Sequence, residues 1–176
     1  MKKILIAYSS KTGNTEKIAQ ALYEGHSDTC ELKKVTEIQD ANTYDVVFVG
    51  YWVDKGGPDA KAKALLSTLK GKKVVLFQTL GAEAYSEHGR TSFANAAKYL
   101  SADCMVLGTL SIQGAIDPQL IAAMSKMPAG SPHAPSEASK KRWAAASTHP
   151  DAADLQTAKE YMQNFLATYE RFYSKM

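Results

Sequence analysis

Residues 3–24, KILIAYSSKTGNTEKIAQALYE, change character twice within a short length of chain. Lys3 to Tyr8 (KILIAY) is an unbroken apolar run of β-formers, which predicts a strand buried on both faces and so central in a parallel sheet. Ser9 to Thr15 (SSKTGNT) is a hydroxyl-rich loop with one glycine. From Asn14 to Glu24 the period is helical: Ile18, Ala19, Ala21 and Leu22 share one side, while Glu16, Lys17, Gln20 and Glu24 point elsewhere. Gly25 ends the helix.

The same alternation continues outward. Thr29 to Val35 is a more polar strand suited to a sheet edge. Asp45 to Tyr51, Lys72 to Thr79 and Cys104 to Ile112 are further apolar strands. Asp59 to Leu69, Glu87 to Leu100 and Leu155 to Tyr173 read as helices. Strands alternating with helices predict βαβ units, and with right-handed crossovers a three-layer α/β/α sandwich around a five-stranded parallel sheet. The chain of 176 residues suits a single domain, 1–176. Its irregular stretch is Gly114 to Pro150, which carries five prolines. Such insertions serve as lids, binding loops or disordered segments; 117–124 and 136–147 are each compatible with a short helix.

Composition narrows the function. Apolar residues make up 45% and charged residues 22%, as in an ordinary globular protein. The net charge of +3 is scattered in short runs, which argues against nucleic-acid binding. No run approaches the roughly 18 apolar residues of a membrane span. Cys30 and Cys104 show no metal or disulfide spacing and are expected to be buried free thiols in a reduced, cytoplasmic protein. His26, His88, His133 and His149 form no ligand pattern. Asp54, Asp59, Glu83 and Glu87 lie in candidate cleft loops, without spacing that compels acid–base roles. Neither a catalytic residue nor a metal site is predicted.

In open parallel sheets ligands sit beyond the carboxyl ends of the strands, where the strand order reverses. The loop there is Ser9-Ser10-Lys11-Thr12-Gly13-Asn14-Thr15. Its hydroxyls and N–H groups, with the positive end of the following helix, fit a phosphate dianion. The plainer alternative is a Ser/Thr helix cap, with Thr12 or Thr15 as the capping residue. The loop is neither GxxxxGK[ST] nor GxGxxG, so NTP hydrolysis and standard NAD binding lose their main support.

At Ser10, Thr12, Gly13, Asn14 and Thr15 the run IAYSSKTGNTEKIA resembles the FMN phosphate loop of flavodoxins. The resemblance covers about residues 1–114 plus the final helix. It implies the flavodoxin-like fold, strand order 2-1-3-4-5, and one non-covalently bound FMN. It also implies two ring-binding loops: Tyr51, Trp52, Val53, Asp54, Lys55, Gly56 and Gly57 after the third strand, and Thr79, Leu80, Gly81, Ala82, Glu83, Ala84 and Tyr85 after the fourth. In flavodoxins the second of these commonly carries a stacking tyrosine, here Tyr85. The stretches GYWVDKGG (50–57), FQTLGA (77–82) and QGAIDP (113–118) resemble a flavodoxin-family group of anaerobic bacteria, some of which accompany bilin-reducing enzymes.

The expected activity is one-electron transfer to a redox partner, either a reductase or an acceptor enzyme. Two alternatives stay open: an NAD(P)H-dependent FMN or quinone reductase, and a module that has lost its flavin. Lys55 in a ring loop predicts a fully reduced flavin less disfavoured than in an acidic flavodoxin. The 114–150 segment is expected beside the flavin, where His133, Lys140, Lys141, Arg142 and Trp143 would meet an acidic partner; a plain exposed connector is the alternative.

Overall fold

The computed structural model describes residues 4–128, 130–131 and 134–173; Lys3 and His133 fall outside them. In chain order the elements are β1 (Ile4–Tyr8), α1 (Asn14–Tyr23), β2 (Cys30–Lys34), β3 (Val46–Asp54), β4 (Gly57–Pro58), α2 (Ala60–Leu66), β5 (Lys73–Leu80), α3 (Glu87–Ala97), β6 (Met105–Gln113), α4 (Pro118–Ser125), α5 (Glu137–Ala146) and α6 (Ala152–Phe172). Five parallel strands lie in the order β2-β1-β3-β5-β6. Two-residue β4 adds an antiparallel hairpin to the end of β3 and leaves that order intact. This is the expected flavodoxin-like arrangement.

Strand alternation builds two cores, one on each face of the sheet. Ile4, Ile6, Phe48, Val75 and Phe77 face α1 and α6, where they meet Ile18, Leu22, Ala158 and Met162. Leu5, Ala7, Val47, Val49, Val74 and Leu76 face the other side, against Leu65, Leu66 and Ala96. All five residues of β1 are buried, as a central parallel strand requires. β2 carries the polar pattern CELKK and forms one edge. Cys30 is buried, but Cys104, one residue before β6 at the other edge, is only half-buried.

The sequence-based boundaries shift for local reasons. β3 runs on to Asp54 because residues 51–54 pair with β5 and β4 before the tight Lys55–Gly56 turn. The expected 51–57 loop is therefore mostly hairpin. α6 starts at Ala152, where the Asp151 carboxylate accepts from the N–H groups of Ala153 and Asp154, and the Asp154 carboxylate accepts from the Asp151 N–H. Both short helices expected within the insertion form, each with a serine or aspartate cap. No described helix is long and apolar enough to cross a membrane.

The insertion has a closed stem. The Ala115 N–H donates to the His149 carbonyl oxygen at 2.7 Å, so the two ends of the segment meet.

Candidate functional site

A cleft of about 310 Å³ opens at the carboxyl edge of the sheet. Ser10, Lys11, Thr12, Asn14 and Thr15 line it from the first loop, Trp52 and Val53 from the end of β3, and Thr79, Leu80, Gly81 and Ala82 from the end of β5. Strand register brings these groups together: Trp52 pairs with Thr79, which pairs with Ile112 on β6.

The first loop is not an ordinary cap. The residue preceding α1 is Gly13, and no side chain caps the helix. Asp59, Ser86, Asp117, Ser136 and Asp151 cap α2 to α6 by accepting backbone N–H groups. Among the described residues α1 is the α-helix without a side-chain cap, and Asn14 and Thr15 of its first turn line the cleft. Gly13 has φ 95°, a conformation an L residue adopts only under strain. Ser10 Oγ accepts the Gly13 N–H at 3.1 Å, which leaves the Ser10 hydroxyl hydrogen available to the cleft. Thr15 is buried, and its Oγ1 lies 2.8 Å from Thr79 Oγ1, tying the first loop to β5.

Several expected site residues stand elsewhere. Ser9 is held in the sheet: its N–H donates to the Gly50 carbonyl at 2.9 Å and its hydroxyl to Asp59 Oδ1 at 2.8 Å. Tyr51 is fully buried on the α2/α3 face, because strand alternation sends Trp52 toward the opposite face. Its hydroxyl donates to Gln78 Oε1 at 3.0 Å, its ring meets Phe93 edge-on at 6.4 Å, and burial pushes its phenol above the ordinary range. Asp54, Lys55 and Gly56 form the tip of the β3–β4 hairpin and are not among the cleft-lining residues. Tyr85 is 75% exposed and borders a separate groove with Arg90, Phe93 and Tyr161. A turn closed by the Ser86 N–H on the Glu83 carbonyl, with Arg90 donating to the Tyr85 carbonyl, sets that direction.

Segment 114–150 stands beside the cleft, as expected, but most residues of that wall were not singled out. His88 reaches the cleft from the first turn of α3. Gly114 to Asp117, Leu120, Met124, Arg142 and Trp143 line it from the insertion. Asn14 Nδ2 donates to the Ala115 carbonyl at 2.8 Å. Gly81 lies so close to Ile116 that an added Cβ would fall 2.3 Å from Ile116 Cγ1. Lys11 pairs with Asp117 at 2.8 Å and stands 5.5 Å from the centroid of the Trp52 ring. That ammonium holds the Asp117 carboxyl below the usual carboxylate range. The available signal was Asp117-Pro118 as a helix start, followed by LIAAM with no obvious core to join.

His149 also joins a grouping the spacing did not announce. Its Nδ1 lies 2.6 Å from Asp154 Oδ2, and its ligand atoms and those of Asp151 and Asp154 all fall within 4.8 Å. Both carboxylates already accept backbone N–H groups at the start of α6, so the cluster reads as a helix cap.

A five-stranded parallel sheet with a hydroxyl-rich, uncapped helix start and an apolar slot beside it defines a flavodoxin-type binding cleft. A family model of the flavodoxin domain matches residues 5–163, and the chain belongs to that family. The chain is similar to the flavodoxin-like domain-containing protein BilS of Clostridioides difficile (strain CD3), with 33% identity over 171 residues, 93% of this chain and 96% of that protein. It is 25% identical over 179 residues to BilS of Clostridium symbiosum (strain WAL-14163), covering 91% and 94% of the two chains. Oxidised flavodoxin 2 from Bacillus cereus superposes with a TM-score of 0.56 at 20% identity, covering 94% of this chain and 99% of that one. A flavoprotein from Lactobacillus acidophilus NCFM, solved in complex with FMN, gives a TM-score of 0.52 at 21% identity, covering 72% and 100%. At these identities the two structures share the fold.

Proposed function

We propose that this chain binds one FMN without a covalent bond and acts as an electron carrier. The uncapped start of α1, opening on the Ser10–Thr15 loop, carries this reading. Ser10, Thr12, Asn14, Thr15 and the first-turn N–H groups of α1 would hold the phosphate. The donors suit a dianion, and no carboxylate of the loop itself opposes it. Trp52, Val53 and Leu80, with Gly81 and Ala82, would desolvate the ring, and the insertion supplies Ile116 and Trp143 opposite them. The flavin supplies the redox chemistry; the residues around it set access and potential. The match to the flavodoxin domain and the FMN complex of a fold neighbour support the assignment.

A carrier is favoured over an NAD(P)H-dependent reductase by the insertion. Leu120, Met124, Arg142 and Trp143 line the cleft and would narrow the approach of a nicotinamide to the ring.

The chain has two tryptophans, Trp52 and Trp143, and both line the cleft. Adding FMN to flavin-free protein should therefore quench most of the tryptophan emission and leave a yellow, one-to-one complex after gel filtration. Riboflavin, which lacks the phosphate, should bind more weakly. The complex should accept electrons in two separate one-electron steps and oxidise no NAD(P)H at steady state. Emission that FMN leaves unmoved, with no flavin retained, would refute the assignment.

A further inference from the structure

Outside the cleft, three lysines from three different elements converge on one concavity. Lys55 of the β3–β4 hairpin, Lys63 of α2 and Lys98 at the end of α3 line a pocket of about 220 Å³, together with Gly57, Pro58, Asn95 and Tyr99. Gly57 and Pro58 are buried, Lys63 and Asn95 half-buried, and Lys55 and Lys98 exposed. Side chains knit the walls together. Asn95 Nδ2 donates to the Gly56 carbonyl at 2.8 Å, and Lys98 Nζ donates to Asn95 Oδ1 at 2.8 Å, which holds α3 against the hairpin. Lys63 Nζ stands 5.8 Å from the centroid of the Tyr99 ring, which ties α2 to α3.

Two observations point to an anion. Among the described residues no carboxylate lines the pocket, and none of the three ammonium groups makes an ion pair. Like charges gathered in one concavity repel one another until an anion joins them. Lys55 also occupies a place its backbone disfavours. Asp54 pairs with Gly57, and the two residues between them, Lys55 and Gly56, have φ 49° and 78°. That is a type I′ turn, whose first central position favours Asn, Asp or Gly. A left-handed lysine there weakens the turn and supplies the third cation of the pocket.

We propose that this pocket binds the phosphate of a small phosphorylated molecule. A carboxylate offers one charge and two oxygens. A phosphate monoester offers nearly two charges and three free oxygens, one for each ammonium. The pocket is smaller than those that enclose drug-sized ligands, which suits a phosphate with a short remainder. It lies on the far side of the hairpin from the cleft wall: Trp52 and Val53 on β3 line the cleft, and Gly57 and Pro58 on β4 line this pocket. The site is separate from the flavin assignment and does not depend on it.

The test titrates glycerol 3-phosphate into the full chain with FMN in excess, at about 0.15 M NaCl to screen exposed charges, and follows backbone amides by NMR. Saturable shifts should gather at Lys55, Gly56, Gly57, Asn95, Lys98 and Tyr99. K63M/K98M should bind about tenfold more weakly. K55N suits the turn and removes only the charge, so it reads the same loss in a variant whose hairpin is undisturbed. Succinate, a dicarboxylate of similar charge, should bind more weakly than glycerol 3-phosphate. Equal affinity in wild type and K55N would overturn the proposal. So would shifts that rise without saturating across all surface lysines, shifts confined to Ser10–Thr15, or succinate binding as tight as that of the phosphate. Flavin retention is read separately from visible absorbance, and the amides of the first loop are distinct from those of the pocket. Failure to retain FMN therefore counts against the cofactor assignment alone.

Discussion

Lys11 Nζ lies 2.8 Å from Asp117 Oδ2, and this ion pair joins the loop after β1 to the segment after β6 across the mouth of the cleft. Asp117 also caps α4 through its other oxygen, which accepts the Gln119 N–H at 2.8 Å. The folded carboxyl titrates below its unfolded value of about 3.9. The pair's contribution is thus complete above that value and is lost as pH falls through the lower folded one. Carboxyl NMR should place the Asp117 midpoint below the ordinary range, and K11M should move it upward. D117N keeps a capping side chain and removes the charge. Amide exchange over 118–125 should then quicken; unchanged protection would show that the ion pair does not hold the insertion.

The buried Thr15–Thr79 hydroxyl pair offers a separate test of the first loop. T15V leaves Thr79 Oγ1 without that partner, at a cost of about 1–3 kcal/mol in urea unfolding. T15V/T79V should recover part of this loss, because no hydroxyl is then stranded. FMN affinity should fall in both, since the loop loses its anchor to β5.

Close packing at Gly81 predicts a rescue. G81A drives a methyl into Ile116, so the 114–117 segment must shift, for a loss of about 1–3 kcal/mol. I116A removes the atoms it strikes. The double variant should be more stable than the sum of the two single effects, measured as a coupling energy in thermal or urea unfolding. Strict additivity would mean that the two residues do not meet.

Lys55, the cation expected in a ring loop, sits at the hairpin tip, whereas Lys11 and Arg142 line the cleft. A cation near the cofactor stabilises the more anionic reduced form. Potentiometric titration of the FMN complex should find the second reduction step at a more negative potential in K11M and R142M, and unmoved in K55M. A shift confined to K55M would return the role to the hairpin.

Burial of tyrosines sets an alkaline limit on the fold. Desolvation, with the Glu16 carboxylate accepting from Tyr8, pushes Tyr8 up to about 12, and desolvation does the same to Tyr161. Each folded value exceeds the unfolded phenol value of about 10. Their contribution is therefore complete below pH ~10 and is lost as pH rises through about 12. Unfolding free energy should decline across that interval, with ultraviolet absorbance reporting late-ionising phenols. Y161F, which has no phenol, should flatten part of the decline.

The sheet and the donor-rich first loop were legible because each rests on local pattern. KILIAY can only be a two-sided strand, and Gly13 beside four hydroxyl-bearing neighbours announces a donor-rich turn. Tyr51 was misplaced because an aromatic at a strand end suits either face; pairing beyond residue 51 decides the side, and that pairing is tertiary. Tyr85 depends on a turn held by Arg90, five residues ahead. The wall from the insertion was least legible: Leu120, Arg142 and Trp143 converge on the cleft from two short helices joined by a loop whose path no periodicity encodes.

Because the Ala115 N–H meets the His149 carbonyl oxygen, the insertion leaves and rejoins the sandwich at nearly one point. Nothing in the sheet registers its length. A residue added to or removed from it would be absorbed beyond that stem like a change in the length of a noose above its knot, with no strand made to slip against its neighbour.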